Sequence, residues 1–568
     1  MSIRDFSRAA ALLVFAIGAN VAFAAADVIV VNGDIYTVDP EAARVEALAV
    51  EDGRFLAVGS NAEIRELADA STRVIDASGR TVIPGLIDGH AHVSGNSPLV
   101  AGVDLSYVAS KDEWLRLIEE ADQRFPEGEW LTGGGWDHTV IDGIYPTREM
   151  LDEIVPERPV FLTHIDGHYA WANSLAFALA DVDADTPVPP GGEIVVDPET
   201  GEPTGILLEG AQDLIESVIP ERSEAQRRLG LAQMQKIANS FGVTGLHQMG
   251  DLKDYLYIVE NGDPTLRVWY GPRGSVDMAS FDRTLEQILY VKEDVDRRAA
   301  AAELSMARGP LLEIGFVKLI NDGVLSARTA VLMEGYRDQE GWRGEYITVP
   351  QDLNAQVEKV TAAGLPVAIH SIGDAAVRAS LDAFEAAQDN PVPYPNRIEH
   401  IELVEESDIE RFRELGVVAS MQPNHGTNSI GYVPVRVGSY RESRAYVWKS
   451  MLDADVPLVL GADYPTSPLN ALVQFADAMF RVSPFGFNDG EPWHPEQSLT
   501  FEQTLYAYTQ AGANVTAWAD EIGSITEGKW ADFVILDGRV PEPMDQSFRH
   551  LAVEATYFAG REVYSKTP

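Results

Sequence analysis

The chain has no cysteine in its 568 residues. That excludes disulfides, thiolate metal sites and a cysteine nucleophile at once. Lysine is also scarce, with nine among the 43 basic residues. Positive charge as a whole is in short supply: 43 Lys and Arg stand against 88 Asp and Glu, a net charge of −45. Nucleic acid and anionic membranes are recognised through basic footprints, so neither is an expected partner. An acidic, lysine-poor surface suits a salty habitat, and a merely soluble acidic protein explains it equally well. Beyond the N-terminus there is no apolar run of membrane-spanning length, no tandem repeat, no low-complexity tract and no heptad seam.

What is present begins with "MSIRDFSRAAALLVFAIGANVAFAAAD". Arg4 and Arg8 precede an apolar core from Ala9 to Ile17, and small residues stand at Ala22 and Ala24. This is the pattern of a secretory signal over residues 1–24. It is short for a membrane span, and an uncleaved anchor is the minor alternative. The mature protein is expected to be periplasmic or secreted, without stable membrane association. A homo-oligomer is admitted by the pattern but not required by it.

The segments "VIVVNGDIYTVD" and "ALAVEDGRFLAVGS" read as strands with Asn-Gly and Asp-Gly turns. A matching pattern returns in "GKWADFVILDG" and "VEATYFAGREVY". One composite β-sandwich built from both chain ends, 25–80 plus 523–568, is the economical reading. Between them, 81–522 alternates strand-like and helical stretches, the pattern of an α/β fold, here a (β/α)8 barrel. Eight strands are expected, at 81–92, 243–249, 265–272, 314–322, 366–373, 396–403, 416–424 and 457–464. The gap after the first is too long for one crossover, so about 95–225 is an inserted subdomain.

Barrel enzymes place their chemistry at the carboxyl ends of the strands. There the sequence has His90 and His92 in "PGLIDGHAH", Lys318 in "IGFVKLINDG", His370 in "VAIHSIGD", His400 in "RIEHIEL" and Asp463 in "LVLGADYP". Two histidines one residue apart share a strand face. Any of these residues alone is as easily structural. Together, in strand order, they predict a metal site. Lys318 is the odd member, because an ammonium beside divalent cations is unfavourable. Carboxylated by CO₂ it becomes a two-oxygen bridge, and two Zn²⁺ would then be balanced by the carbamate, Asp463 and a hydroxide. A structural ion pair, or a catalytic lysine beside a single metal, is the alternative for Lys318. Asp322 is a rival carboxylate by strand parity.

These motifs, with "RPVFLTHIDGHYAWANS", "GILLEGA", "VKLINDGVLSARTA", "SMQPNH" and "IGSITEGKWADFVILD", resemble the amidohydrolase superfamily. The likeness is to amidohydrolase family 3, in the branch of N-substituted formamide deformylases. It spans nearly all of the mature chain. It implies a distorted (β/α)8 barrel with a composite sandwich, and a binuclear site of His90, His92, carboxylated Lys318, His370, His400 and Asp463. "GVTGLHQMG" departs from the pattern, since similar proteins often carry an acidic residue near His247 and Gln248.

The expected activity is hydrolysis of a non-peptide carbon–nitrogen bond in a small amide-like substrate, such as an N-formyl amine, an N-acyl amine or a cyclic amide. A metal-bound hydroxide would attack the carbonyl, and Asp463 would carry the proton to the leaving nitrogen. A mononuclear deaminase, an esterase or lactonase, and a non-catalytic binding protein are the competing readings. Zinc is the expected metal, although imidazole and carboxylate also suit Mn, Fe or Co. Candidate substrate contacts are His168, Trp136, His138, His425 and Arg328, each with a structural reading beside it. "GGEIVVDPETGEPTG" reads as a plain hairpin.

Overall fold

A computed structural model describes residues 25–93, 102–105, 108, 110–124, 128–141, 144–164, 169–188, 192–221, 223–250, 253–301 and 308–566. The expected signal segment and His168 lie outside the described residues. No helix among the described residues is long and apolar enough to cross a membrane.

Two parallel sheets carry the candidate residues. One has the strand order Leu312–Ile314, Arg267–Gly271, Val243–Met249, Leu86–Ala91. The other runs Val317–Ile320, Val367–Ser371, Arg397–His400, Val418–Met421, Leu458–Leu460. Their burial patterns are almost unbroken, as expected of parallel strands covered on both faces. Helices such as Glu224–Ser240, Pro350–Ala362 and Glu406–Leu415 connect them. Each is delimited by local chemistry: a capping box from Ser223 and Gln226, a proline in the first turn, and Gly416 in the left-handed conformation as C-cap. Isolated parallel bridges join the two sheets: Ala91 with Tyr464, and Arg273, just past Arg267–Gly271, with Lys318.

The run read as one strand at 81–92 is two. Thr81–Pro84 pairs with Phe533–Leu536 in a terminal sheet, and Leu86–Ala91 begins the parallel array. The break is at Gly85, where a Cβ would stand 2.2 Å from Thr244 Oγ1. The terminal strands form a six-stranded sheet containing segments from both chain ends and a four-stranded sheet of N-terminal segments. Val30, Leu48, Phe55, Val82, Phe533 and Tyr557 share one apolar cluster between them. Asp52-Gly53 closes the hairpin of Ala47–Glu51 and Arg54–Gly59 as expected, both residues having positive φ. Asn32-Gly33 does not close one, because Val28–Val31 and Asp34–Tyr36 belong to different sheets.

Between the first and second parallel strands lies a six-stranded mixed sheet of its own, from Val103–Asp104 to Pro203–Leu208. Glu193–Val196 and Pro203–Leu208 form its antiparallel hairpin. Arg267 and Asp532, both buried, tie the parallel array to the C-terminal segment through bonds of 2.6 and 2.9 Å.

Glu313, largely buried beside Trp518, has its carboxyl pushed up to about 7 by burial. An unfolded chain ionises it near about 4.3, so charging it costs more in the folded state. Its presence therefore lowers stability progressively as pH rises from about 4.5 to 7. Glu313→Gln should raise the urea midpoint at pH 8, by no more than about 3 kcal/mol of stability, and leave it unchanged at pH 4. Equal midpoints at pH 8 would contradict this.

Candidate metal centre

His90 and His92 end the strand Leu86–Ala91, and Asp463 follows Leu458–Leu460. The two strand ends approach closely because Gly89 and Gly461 carry no side chain. A Cβ on Gly461 would lie 2.4 Å from the His90 nitrogen. The resulting triangle is compact. His90 Nε2 and His92 Nε2 are 3.3 Å apart, and Asp463 Oδ1 lies 3.3 and 3.2 Å from them. Bonds of about 2.0 Å to one tetrahedral ion place its donors about 3.3 Å apart, so these three atoms fit a Zn-sized cation. His400, His425 and Asp463 form an adjoining group also able to hold an ion.

Each ligand-type imidazole has one nitrogen held by an oxygen. His90 Nδ1 is 2.6 Å from Glu399 Oε2, His92 Nδ1 is 3.1 Å from the Met249 carbonyl, and His400 Nδ1 is 2.9 Å from Gln422 Oε1. His370 Nε2 is 3.1 Å from the Gly323 carbonyl. Donation to these acceptors leaves the lone pair on the opposite ring nitrogen. Burial holds His90 and His400 well below the ordinary imidazole range, and burial and then Lys318 bring His370 to about 4. All three are neutral Lewis bases at pH 7.

Lys318 and Asp463 complete the group. Burial lowers the Lys318 ammonium to about 8. Burial alone would raise Asp463, but His90, His92 and His425 around it hold the carboxyl below the usual range. A cavity of about 380 Å³ is lined by His92, Lys318, His370, His400, His425 and Asp463. His400 and Asp463 both adopt positive φ, at 77° and 58°. Non-glycine residues held there are uncommon and cluster at functional sites.

The profile of the Amidohydrolase family matches residues 73–564, through both parallel sheets and this cluster. The chain belongs to that family. It is similar to Protein LONG AFTER FAR-RED 3 of Arabidopsis thaliana, 32% identical over 558 residues, covering 95% of this chain and 92% of that one. It is 29% identical over 556 residues to the N-substituted formamide deformylase of Arthrobacter pascens, covering 95% of this chain and 99% of the relative. Among solved structures, an uncharacterized metal-dependent hydrolase from Pyrococcus furiosus matches with a TM-score of 0.68 and 29% identity, covering 89% of this chain and 98% of that one.

The amidohydrolase scaffold here separates the remaining candidates. His425 lines the cavity, with Nε2 3.7 Å from Asp463 Oδ2 and Nδ1 3.9 Å from Glu402 Oε1. Trp136 is fully buried inside the inserted subdomain, where Nε1 donates to the Leu162 carbonyl at 2.9 Å. His138 meets His164 in the same subdomain. Neither Trp136 nor His138 lines the cavity. Arg328 does not line it either, and its guanidinium is engaged by Asp338 at 2.8 Å. Asp322, the rival of Lys318, is also absent from the lining, and its oxygens receive the backbone N–H groups of Val331, Ile372 and Gly373. That carboxylate anchors the loop after its strand.

Three functional residues escaped sequence reasoning. Glu399 orients His90 and is itself gripped by Arg397, which also bonds the Gly89 carbonyl, Ser420 and His247. His247 is thus occupied with Arg397 and is absent from the cavity wall. Glu402 lines the cavity, and its Oε2 has no hydrogen-bond partner among the described residues. The run "RIEHIEL" holds all three, but strand alternation puts Arg397 and Glu399 on the face opposite His400 and so gives no sign that they serve the same centre.

Proposed function

We propose that this amidohydrolase cleaves a carbon–nitrogen bond other than a peptide bond, in an N-formyl amine, an N-acyl amine or a cyclic amide, with two divalent ions at the cavity floor. The observation that carries the reading is a set of four imidazoles each tethered through one nitrogen, of which His92, His370 and His400 share a cavity wall with Asp463 and Lys318 and His90 lies 3.3 Å from His92 and Asp463. His90, His92 and Asp463 would hold one ion, and His370 with His400 the other. Lys318, carboxylated by CO₂, would bridge them, with zinc as the expected metal. When bound, such ions lower the pKa of a coordinated water and polarise a carbonyl oxygen as Lewis acids. The two oxygens of Asp463 divide the work. Oδ1 faces His90 and His92, whereas Oδ2 faces His425 and the open cavity. Oδ2 would take the proton of the attacking water and return it to the departing nitrogen. Glu402, with an unpartnered oxygen at the wall, would receive an N–H of the substrate.

The same reading takes the two parallel sheets as arcs of one distorted (β/α)8 barrel, supported by the bridges that join them. Residues 25–80 plus 523–568 would form the composite sandwich, and 1–24 an export signal. The formamide deformylase among the relatives supports the choice of N-formyl amines as first substrates.

The test is amine release from a panel of N-formyl amines, N-acyl amines and cyclic amides, by protein purified with bicarbonate. Dialysis against a chelator should abolish release, and added Zn²⁺ should restore it. No release from any panel member by protein holding two ions at the cavity floor would sink the reading.

A further inference from the structure

The inserted subdomain brings together a second set of donors that the hydrolytic site does not use. Its strands Leu131–Trp136 and Val160–His164 are parallel neighbours, and Trp136 pairs in register with His164 at their carboxyl ends. Asp137 and His138 follow directly. Ligands of open α/β sheets collect at that end of the strands. His138 Nδ1 stands 3.0 Å from His164 Nε2, and Asp137 Oδ1 is 3.8 Å from the same nitrogen. One donor atom from each of the three residues lies within 4.8 Å of the others.

We propose that Asp137, His138 and His164 form a separate site for a divalent transition-metal ion. The N···N separation of 3.0 Å is close to the His90–His92 separation of 3.3 Å at the cavity floor. Two imidazoles with one carboxylate make an N₂O donor set of the kind that takes Zn, Co, Ni or Cu, leaving further positions for water. Asp137 is the exposed member, with 37% of its side chain accessible, whereas His164 is buried at 4%. The ion would therefore enter from the Asp137 side and stay exchangeable.

The surroundings hold the rings in place. Trp136 meets His164 edge-on at 4.7 Å, Tyr169 does so at 4.9 Å, and Tyr145 lies 5.2 Å from His138. The approach depends on the glycine run before Trp136. Gly133 has φ +152°, and a Cβ there would meet the Val103 carbonyl at 2.2 Å. The register shifts between Gly134 and Trp136, a bulge that re-aims the residues after it.

The measurement is Co²⁺ titration of metal-free protein, counting equivalents by visible absorption and elemental analysis. Wild type should bind one equivalent that His138→Gln and Asp137→Asn each lose, with unchanged far-UV circular dichroism. That equivalent should persist in Lys318→Ala, so its fate is independent of the cavity-floor ions. Equal stoichiometry in wild type and both folded variants would overturn the proposal and leave a hydrogen-bonded histidine pair. If one variant does not fold, the other decides.

Discussion

Lys318→Ala is expected to reduce the ions held at the cavity floor from two per chain to one or none, and amide hydrolysis by about 10³-fold or more. The substitution removes the group proposed to bridge the ions, which shares the cavity wall with His92, His370, His400 and Asp463. Alanine leaves the cavity wider and Asp463 intact, so an ion on the His90–His92–Asp463 triangle can remain. The check is elemental analysis beside turnover, on protein prepared with bicarbonate and carrying Asp137→Asn, so that only ions at the cavity floor are counted. Lys318→Glu restores a carboxylate on a shorter stem and should recover part of the second equivalent. Two ions at the floor both with and without Lys318→Ala would remove lysine from the bridge. A single ion in both would point to mononuclear chemistry.

The second large effect concerns Glu399, which is not among the residues lining the cavity. It lies fully buried between Arg397 and His90. Glu399→Leu strands the Arg397 guanidinium without its counter-ion, a loss of about 3–5 kcal/mol for breaking a buried pair. It also frees the His90 ring, and loss of such an orienting partner costs about 10–100-fold in metal affinity. The two losses separate in a double variant. Arg397→Met with Glu399→Leu should regain most of the stability, because replacing both charges by apolar groups is often neutral. Metal affinity should stay low. If affinity returned together with stability, Glu399 would be a structural residue with no hold on His90.

Much of the candidate site was legible because short apolar runs ending in histidine or aspartate mark strand ends. The second strand is where the sequence put it, at Val243–Met249, and His90, His92, Lys318, His370, His400, His425 and Asp463 gather around one centre. The parts that were not legible depend on contacts remote in sequence. Glu399 and Arg397 share one face of their strand, so alternation alone would turn His400 away from them. The left-handed turn at His400 and Ile401, with φ of 77° and 51°, breaks that alternation and brings the imidazole to His90 and His370. Trp136, in the glycine-rich run "GGGWDH", was a candidate pocket wall beside the reading of a plug between layers. Its strand is flanked by Val103–Asp104 and Val160–His164, and the ring is packed inside. Arg328 looked available until its partner Asp338 was known.

The pairing of Thr81–Pro84 with Phe533–Leu536 also governs the order in which the chain can fold. Thr81 Oγ1 accepts the amide of Val540, 459 residues later. At about 5–20 residues per second, synthesis leaves Thr81 waiting roughly 20–90 seconds for that partner. Through that interval the strand has Asp34–Tyr36 on one side and an open edge on the other. An open edge is a template for pairing with other chains. The six-stranded sheet shared by both chain ends is therefore begun early and finished last, with an open edge in the interval.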